Sequence, residues 1–477
     1  MALFTPSESP AVVVKEIDLT SGVPNVQSST GAFVGNFRWG PVGERVPISD
    51  EDGLADKFGT PDANNNRDKD FLSASQFLRY SNSLQVVRKI TSAAKNSTYA
   101  AGQDNSGSDV SAPSVSNKAA FDNQLSALDS DKNVFIGRFP GALGNSIRVS
   151  VWDSSDLTNF AHAASFDAAP GTSTYASLRA ASNDEMHVAV VDQGGLLTGT
   201  AGQVLETYPF VSKATDAKNT DGTTNYVKDI INERSEYIYM VDFDSDFQAA
   251  GAGTAVDSAE NFARTVRATN DYDLSGGVNS GTLPASDYLN GFALFNDKDN
   301  VEVDFLIAPG MSSRSDQTTV VNNLISIAGT TRKDCVAVAS PAESDVVNLT
   351  NATTITTNIT TTADTFTNSS YLVMDGNYLK VYDKFNDKFI EIPAASSTAG
   401  IMAATDRNAA PWFSPAGSRR GTYLGVTGIN YTPTKAQRDT LYKASVNPIA
   451  NIPGQGLLLF GDKTGLARPS AFDRINV

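Results

Sequence analysis

The chain has 477 residues, 40 % of them apolar and 19 % charged, a balance that excludes a wholly disordered polypeptide. Lys and Arg total 37 against 53 Asp and Glu, and the resulting formal charge of −16 argues against any broad nucleic-acid surface. A single cysteine, Cys335, excludes an intrachain disulfide and thiolate metal clusters. The length is too great for one core, so roughly three domains are expected. Cys335 lies in the apolar run "DCVAVAS" and reads as a buried structural thiol. The N-terminus has no basic segment followed by an apolar stretch, so no signal peptide is read, and no run approaches the ~18 apolar residues that cross a bilayer. A soluble product made in the cytoplasm is expected, with triplets such as Asn348 to Thr350 left unglycosylated.

Residues 1–24 stand apart as an extended N-terminal arm. "AVVVKEI", residues 11–17, is a strong β segment set off by Pro10 and Pro24, with no hairpin partner nearby. An unpaired apolar strand must add to a sheet in its own chain or in another, and the residues leave both options open. From residue 30 the pattern is α/β. A strand is expected over 32–38, and a helix follows in "DKDFLSASQFLRY" with Phe71, Ala74 and Leu78 on one face. Next comes the strand "LQVVRKI". The alternation returns after 280: helix "SDYLNGFALF", strand "VEVDFLIA", helix "DQTTVVNNLISIAG", strand "DCVAVAS". Near-continuous Val, Ile and Leu suggests a sheet covered on both faces.

Between these halves lie the small, polar stretch "KNSTYAAGQDNSGSDVSAPSVS", read as loop, and then five β segments. These are "NVFIGRFPG", "NSIRVSVWD", "EMHVAVVD", "QVLETYPFVS" and "EYIYMVD". The fold class expected is therefore α/β plus β and multidomain. An α/β core with a mixed sheet flanked by helices, residues 25–92 and 280–477, is discontinuous in sequence. It carries a β-rich insertion at 93–279, of which 93–130 is a reduced polar outer segment. The Thr- and Asn-rich stretch 345–370 is read as exposed loop or edge strands. Thr432 followed by Pro433 reads as an N-cap and first helical position before "KAQRDTLYKAS", and "GQGLLLFGD" as one more buried strand.

Chemistry is hard to find. The two histidines, His162 and His187, sit in the insertion and read as structural, and no Gly-x-Ser-x-Gly elbow is present. In "GQGLLLFGDKTG", Asp462 separates Gly461 from Lys463, which defeats a phosphate loop. "DFDSDF" begins like a calcium loop, but Phe247 and Gly253 occupy the places of the required Gly and Glu. No catalytic residue, cofactor or metal is assigned. The stretch "PWFSPAGSRRG", 411–421, draws notice for combining Trp412 and Phe413 with Arg419 and Arg420.

Two blocks carry a resemblance. "FVGNFRWGPVGE", "FGTPD" and "FLSASQFLRYSNSLQVVR" form the first. The second is longer: "RKDCVAVASP", "YLVMDGNYLKVYDKFND", "AGIMAATDRNAAPWFSPAGSRRG", "AQRDTLYKASVNPI" and "LLLFGDKTGLARPSAFDRINV". Both resemble the tail sheath proteins of contractile-tailed bacteriophages, the T-even-type myoviruses in particular. The resemblance implies a structural virion protein without catalytic turnover, made in the host cytoplasm. It would form six-fold rings stacked helically around a tail tube on a baseplate, contracting to drive the tube through the host envelope. No nucleic acid, membrane insertion or cofactor is implied.

Further expectations follow from the resemblance. Val12, Val13, Val14 and Ile17 of the arm would add a strand to a neighbour's sheet. The large outer domain that follows the "VVR" strand in the family would be absent or reduced to a loop. The family continues beyond "FDRINV" into a C-terminal region, so this chain would be truncated and monomeric. Trp412 and Phe413 would pack beneath a Pro/Gly-shaped loop, with Arg419 and Arg420 reaching acidic groups. An intrachain loop, pairing the arginines with Asp406 or Asp462, is slightly favoured over an intersubunit contact. The alternatives are a sheath protein of a phage-derived contractile injection system and, from a different class, a virion-associated carbohydrate-active enzyme.

Overall fold

The computed structural model describes residues 29–99, 112–128, 134–256, 262–265, 271–467 and 470–475. The expected arm strand, with Val12, Val13, Val14 and Ile17, lies outside them. The central sheet has six strands in the order Leu372–Met374, Val336–Ala339, Phe305–Ile307, Gly31–Gly35, Leu84–Arg88, Arg45–Ile48. The first five run parallel and the last is antiparallel, giving a mixed sheet. That outer strand carries Pro47, which lacks a backbone donor and suits an edge.

Alternation along Gly31–Gly35 builds two cores. Ala32 and Val34 join Leu306, Ala337 and Leu372 beneath the helices Ala285–Phe292 and Arg314–Ser326. Phe33 joins Val86, Ile307 and Val338 beneath the helices Arg67–Leu78 and Ala395–Asn408. Such burial is worth roughly 1.5–3 kcal/mol per large apolar side chain. Helix Ala285–Phe292 approaches so closely that a Cβ on Gly291 would sit 2.4 Å from Val34.

A seven-stranded antiparallel sheet is built from residues 98–275, in the order Gln203–Ser212, Glu185–Asp192, Ile147–Trp152, Asp271–Ser275, Thr98–Tyr99, Phe135–Gly137, Ile238–Met240. Its two connections to the first sheet are bonded to each other. Lys95 and Val278 exchange backbone hydrogen bonds of 3.0 Å in both directions, and the Thr91 N–H donates to Ser280 Oγ at 2.9 Å. Beside them Arg88 is fully buried. Its guanidinium donates to the carbonyls of Phe37 (3.0 Å), Gly40 (2.8 Å), Arg38 (3.3 Å) and Pro140 (2.5 Å). Burial pulls its pKa down to about 9.

Four local expectations are corrected. The Thr-rich stretch is neither loop nor edge strand: Ala352–Ala363 is a helix. Asn351 caps it by accepting from the N–H groups of Thr353 and Thr354, and Ile355 and Ile359, one turn apart, are buried. Thr356, Thr357 and Thr361 turn their hydroxyls onto carbonyls four residues back, which satisfies them within the helix. Thr434, not Thr432, is the N-cap of Lys435–Lys443, because Gln437 closes a reciprocal capping box with it. The polar stretch after residue 94 includes the strand Thr98–Tyr99, where Tyr99 packs edge-on to Tyr272 at 4.8 Å. "GQGLLLFGD" gives Gly456–Leu459, hairpin-paired with Ile449–Ile452. Only Leu458 and Leu459 are fully buried.

Candidate interaction surfaces

Helix Ala395–Asn408 spans the sheet from end to end. Its Ala395 N–H donates to Ser340 Oγ (2.9 Å) beyond the end of one strand, and Asp406 accepts from Ser29 Oγ (2.8 Å) before the start of another. The loop after it therefore lies at the end where the parallel strands begin. That loop is fixed by its backbone. The Gly417 N–H donates to the Leu459 carbonyl (2.9 Å), Leu459 N–H to Gly421 (2.8 Å), and Tyr423 N–H to Leu457 (3.0 Å), stitching 417–423 onto the 449–459 hairpin. Tyr423 is buried with its hydroxyl 3.0 Å from Thr398 Oγ1, and the Leu424 N–H donates to the Tyr80 hydroxyl at 2.6 Å.

On this frame the aromatic side chains face outward. Trp412 is 71 % exposed and Phe413 44 %, with their rings stacked at 6.4 Å. The expected packing of Trp412 and Phe413 beneath the loop is thus corrected: Tyr423, from further along the chain, fills the space below. Arg419 and Arg420 do not reach Asp406 or Asp462. Asp406 is held by Ser29, Asp462 pairs with Arg474, and Arg420 instead donates Nε to the Ser414 carbonyl (2.9 Å) and lies 5.0 Å from the Phe413 ring centre. Between Asp406 and Asp439 the chain holds Arg407, Arg419, Arg420, Lys435 and Arg438 and no acid.

A second surface is an open sheet edge. Tyr378–Asp383 pairs with Lys388–Pro393 on one side and Gly428–Ile429 on the other. Thr427 N–H donates to the Lys380 carbonyl (2.8 Å) and Asn430 N–H to Tyr378 (3.1 Å), so those residues face Gly428–Ile429. Leu379, Val381 and Asp383 must then bond the opposite strand through Ile392, Ile390 and Lys388. The backbone groups of Phe389 and Glu391 are left pointing outward, and no described residue pairs with them. A groove of about 460 Å³ runs beside them, lined by Asp68, Lys69, Glu343 and Ile390 among others. Ion pairs Lys388–Asp68 (3.0 Å), Lys69–Glu343 (2.6 Å) and Lys380–Glu391 (3.2 Å) rim it, and charge of this kind discourages indiscriminate edge pairing.

The ionisable groups that could carry chemistry are individually occupied. His187 is buried against Phe166 (4.3 Å), with Nε2 2.7 Å from the Ala168 carbonyl and Nδ1 accepting from the Phe210 N–H at 3.0 Å. Burial lowers its pKa. Half-exposed His162 packs edge-on to Phe160 at 5.7 Å. Cys335 is buried and its thiol pushed up to about 12. Asp244 of "DFDSDF" caps the short helix Ser245–Ala249, and Lys463 donates to the Tyr442 carbonyl at 2.5 Å. Two buried carboxylates are raised to about 7 by desolvation. Asp70 accepts from the Asn36 N–H and the Tyr288 hydroxyl, and Asp375 from Ser340 and Thr398. Among the described residues no group of three or more His, Cys, Asp and Glu could hold a metal ion, and no helix is long and apolar enough to cross a membrane.

Residues 281–465 match the phage tail sheath protein central domain. The tail sheath protein of Enterobacteria phage T4 is 28 % identical, over 98 % of this chain and 83 % of its own length. That of Salmonella phage ViI is 29 % identical, over 100 % of this chain and 82 % of its own. In fold, the chain is similar to the crystal structure of a sheath tail protein from Listeria innocua, with a TM-score of 0.53 at 12 % identity, covering 94 % of this chain and 72 % of that one. The similarity to T-even-type tail sheath proteins expected from the sequence therefore extends along nearly the whole chain.

Proposed function

We infer, from a likeness to phage tail sheath proteins that runs along nearly the whole chain, that this protein is the structural subunit of a contractile tail sheath. It assembles as six-fold rings stacked around a tail tube on a baseplate and transforms no substrate, and the expectation of a truncated, monomeric chain is not carried into this reading. The core is residues 25–92 with 280–477, and the insertion is 93–279. The arm carries Val12, Val13, Val14 and Ile17 onto a neighbour's sheet, so backbone hydrogen bonds link copies through a pliable flank while the bodies shift. Supporting this reading, the buried ionisable groups are bonded within their own surroundings, whereas the unsatisfied features of the molecule, an open strand edge and an exposed aromatic loop, are of the kind that other chains cover.

The reading is tested in the phage that carries the gene. Loss of the gene should leave tails without a sheath, and deletion of residues 1–24 should do the same while the purified protein keeps one cooperative unfolding transition. Sheathed tails in the absence of the gene would overturn the function; ordered sheaths built from the deletion would overturn only the role of the arm.

A further inference from the structure

We propose that the acid-free segment 407–438 forms a preorganised docking face for the acidic surface of a second copy of this chain, a deepening that rests on the sheath reading above. Trp412, Phe413, Leu424 and Phe460 are exposed on segments that the Gly417, Gly421 and Leu459 backbone bonds hold together. Among the described residues Arg419 has no carboxylate within ion-pair distance, and Arg420 lies over Phe413 while donating to Ser414. Exposed tryptophan beside arginine is the composition that dominates binding energy at protein interfaces. Because the loop is already bonded to the 449–459 hairpin, docking would cost little ordering entropy. A groove of about 500 Å³ continues the face, lined by Thr422, Val426, Gly428 and Leu457.

Charge decides the occupant. The segment carries five cations and no acid, which leaves 37 − 5 = 32 cations against 53 acids on the rest of the chain, a formal −21. Outside this segment a second copy therefore carries an excess of acid that complements it, although Glu391 already lies 3.4 Å from Asn430 at one margin of the face. The same face of a second copy is not complementary, because two segments with five cations each and no acid would repel. The contact must then be heterologous, joining unlike surfaces, and such contacts generate rings or helices instead of two-fold dimers.

The test places a photo-crosslinking amino acid at position 412 and irradiates assembled sheaths. Crosslinks between copies, joining position 412 to a peptide outside 407–438, are expected. Arg419→Glu with Arg420→Glu should lower their yield at least tenfold without changing the circular dichroism of the purified protein. Crosslinking to a different tail protein, position 412 joined to position 412, no crosslink in formed sheaths, or an unchanged yield in the double variant would each overturn the proposal while leaving the sheath reading intact. If no sheath forms from the unlabelled chain, the underlying reading fails and the proposal with it.

Discussion

Replacing Arg88 by Met should be among the most damaging single changes to folding. The buried guanidinium supplies hydrogen bonds to four backbone carbonyls, three on the turn after the strand Gly31–Gly35 and one, Pro140, in the segment that builds the seven-stranded sheet. Bonds to a charged donor contribute about 1.5–3 kcal/mol each, or roughly 6–12 kcal/mol for four. Burying the charge offsets part of this: lowering the pKa from 12.5 to about 9 corresponds to roughly 5 kcal/mol. Methionine removes both terms but leaves carbonyls facing an apolar side chain, so a net loss of about 1–7 kcal/mol is expected. Urea denaturation followed by near-ultraviolet circular dichroism measures it, and protease nicking between the two sheets should increase in parallel. Arg88→Lys should recover less than half, because one ammonium has three donors for four acceptors. A loss below about 1 kcal/mol for Arg88→Met would refute the view that this cation ties the two sheets together.

Other substitutions probe separate conclusions. Ile359→Ala empties a core site of the threonine-rich helix and should cost about 2–4 kcal/mol in denaturant melts, whereas an exposed loop would register almost nothing. Trp412→Ala should change stability by no more than about 0.5 kcal/mol, since its ring faces solvent; a loss of several times that would return it to the interior. Asp375 is raised from 3.8 to about 7, so its contribution is complete below pH 3.8 and is lost as pH climbs through 7. Asp375→Asn should therefore lose less melting temperature than the parent between pH 5 and pH 8, and parallel curves would count against a buried titrating carboxylate.

Much of the α/β alternation is legible in the sequence because it rests on local periodicity. The strands at 84–88 and 336–339 are apolar runs, and Phe71 and Ala74 mark the inner face of their helix. The cap of the late helix was readable too. Only Thr434 has Gln three residues on, whereas Thr432 has Lys435 there, and that spacing distinguishes the two. The helix 352–363 is hidden in the sequence because threonine and asparagine are weak helix formers, and its buried face, Ile355, Thr356, Ile359 and Thr362, meets a distant core with only two large apolar side chains. Trp412 misled because aromatic character does not determine burial; Tyr423 takes the inner position. The open edge at Phe389 and Glu391 follows from which side of Tyr378–Asp383 the Gly428–Ile429 strand occupies, and Arg88 from contacts 48 to 52 residues away. Neither leaves a local trace.

On the proposed sheath reading, a subunit that passes force between neighbours has to be stiffer within itself than at its contacts. Here the internal junction is bonded at every approach: Lys95 to Val278, Arg67 Nη1 to the Ser280 carbonyl at 2.7 Å, and Asn145 to Gly277 through both its amide nitrogen (3.0 Å) and its oxygen (2.7 Å). The surfaces left unsatisfied lie elsewhere, at the 388–393 edge and the 407–438 face. Any shift in position during contraction should then occur between copies and spare the junction. Lys95 and Val278 form a hydrogen-bonded antiparallel pair, whose Cα atoms stand about 5.5 Å apart, within disulfide reach. Lys95→Cys with Val278→Cys, oxidised, should leave sheaths that assemble and contract as the reduced ones do, with buried Cys335 taking no part. Sheaths that contract only after reduction would show that the two sheets move against each other, and the rigid-body view of the junction would have to be abandoned.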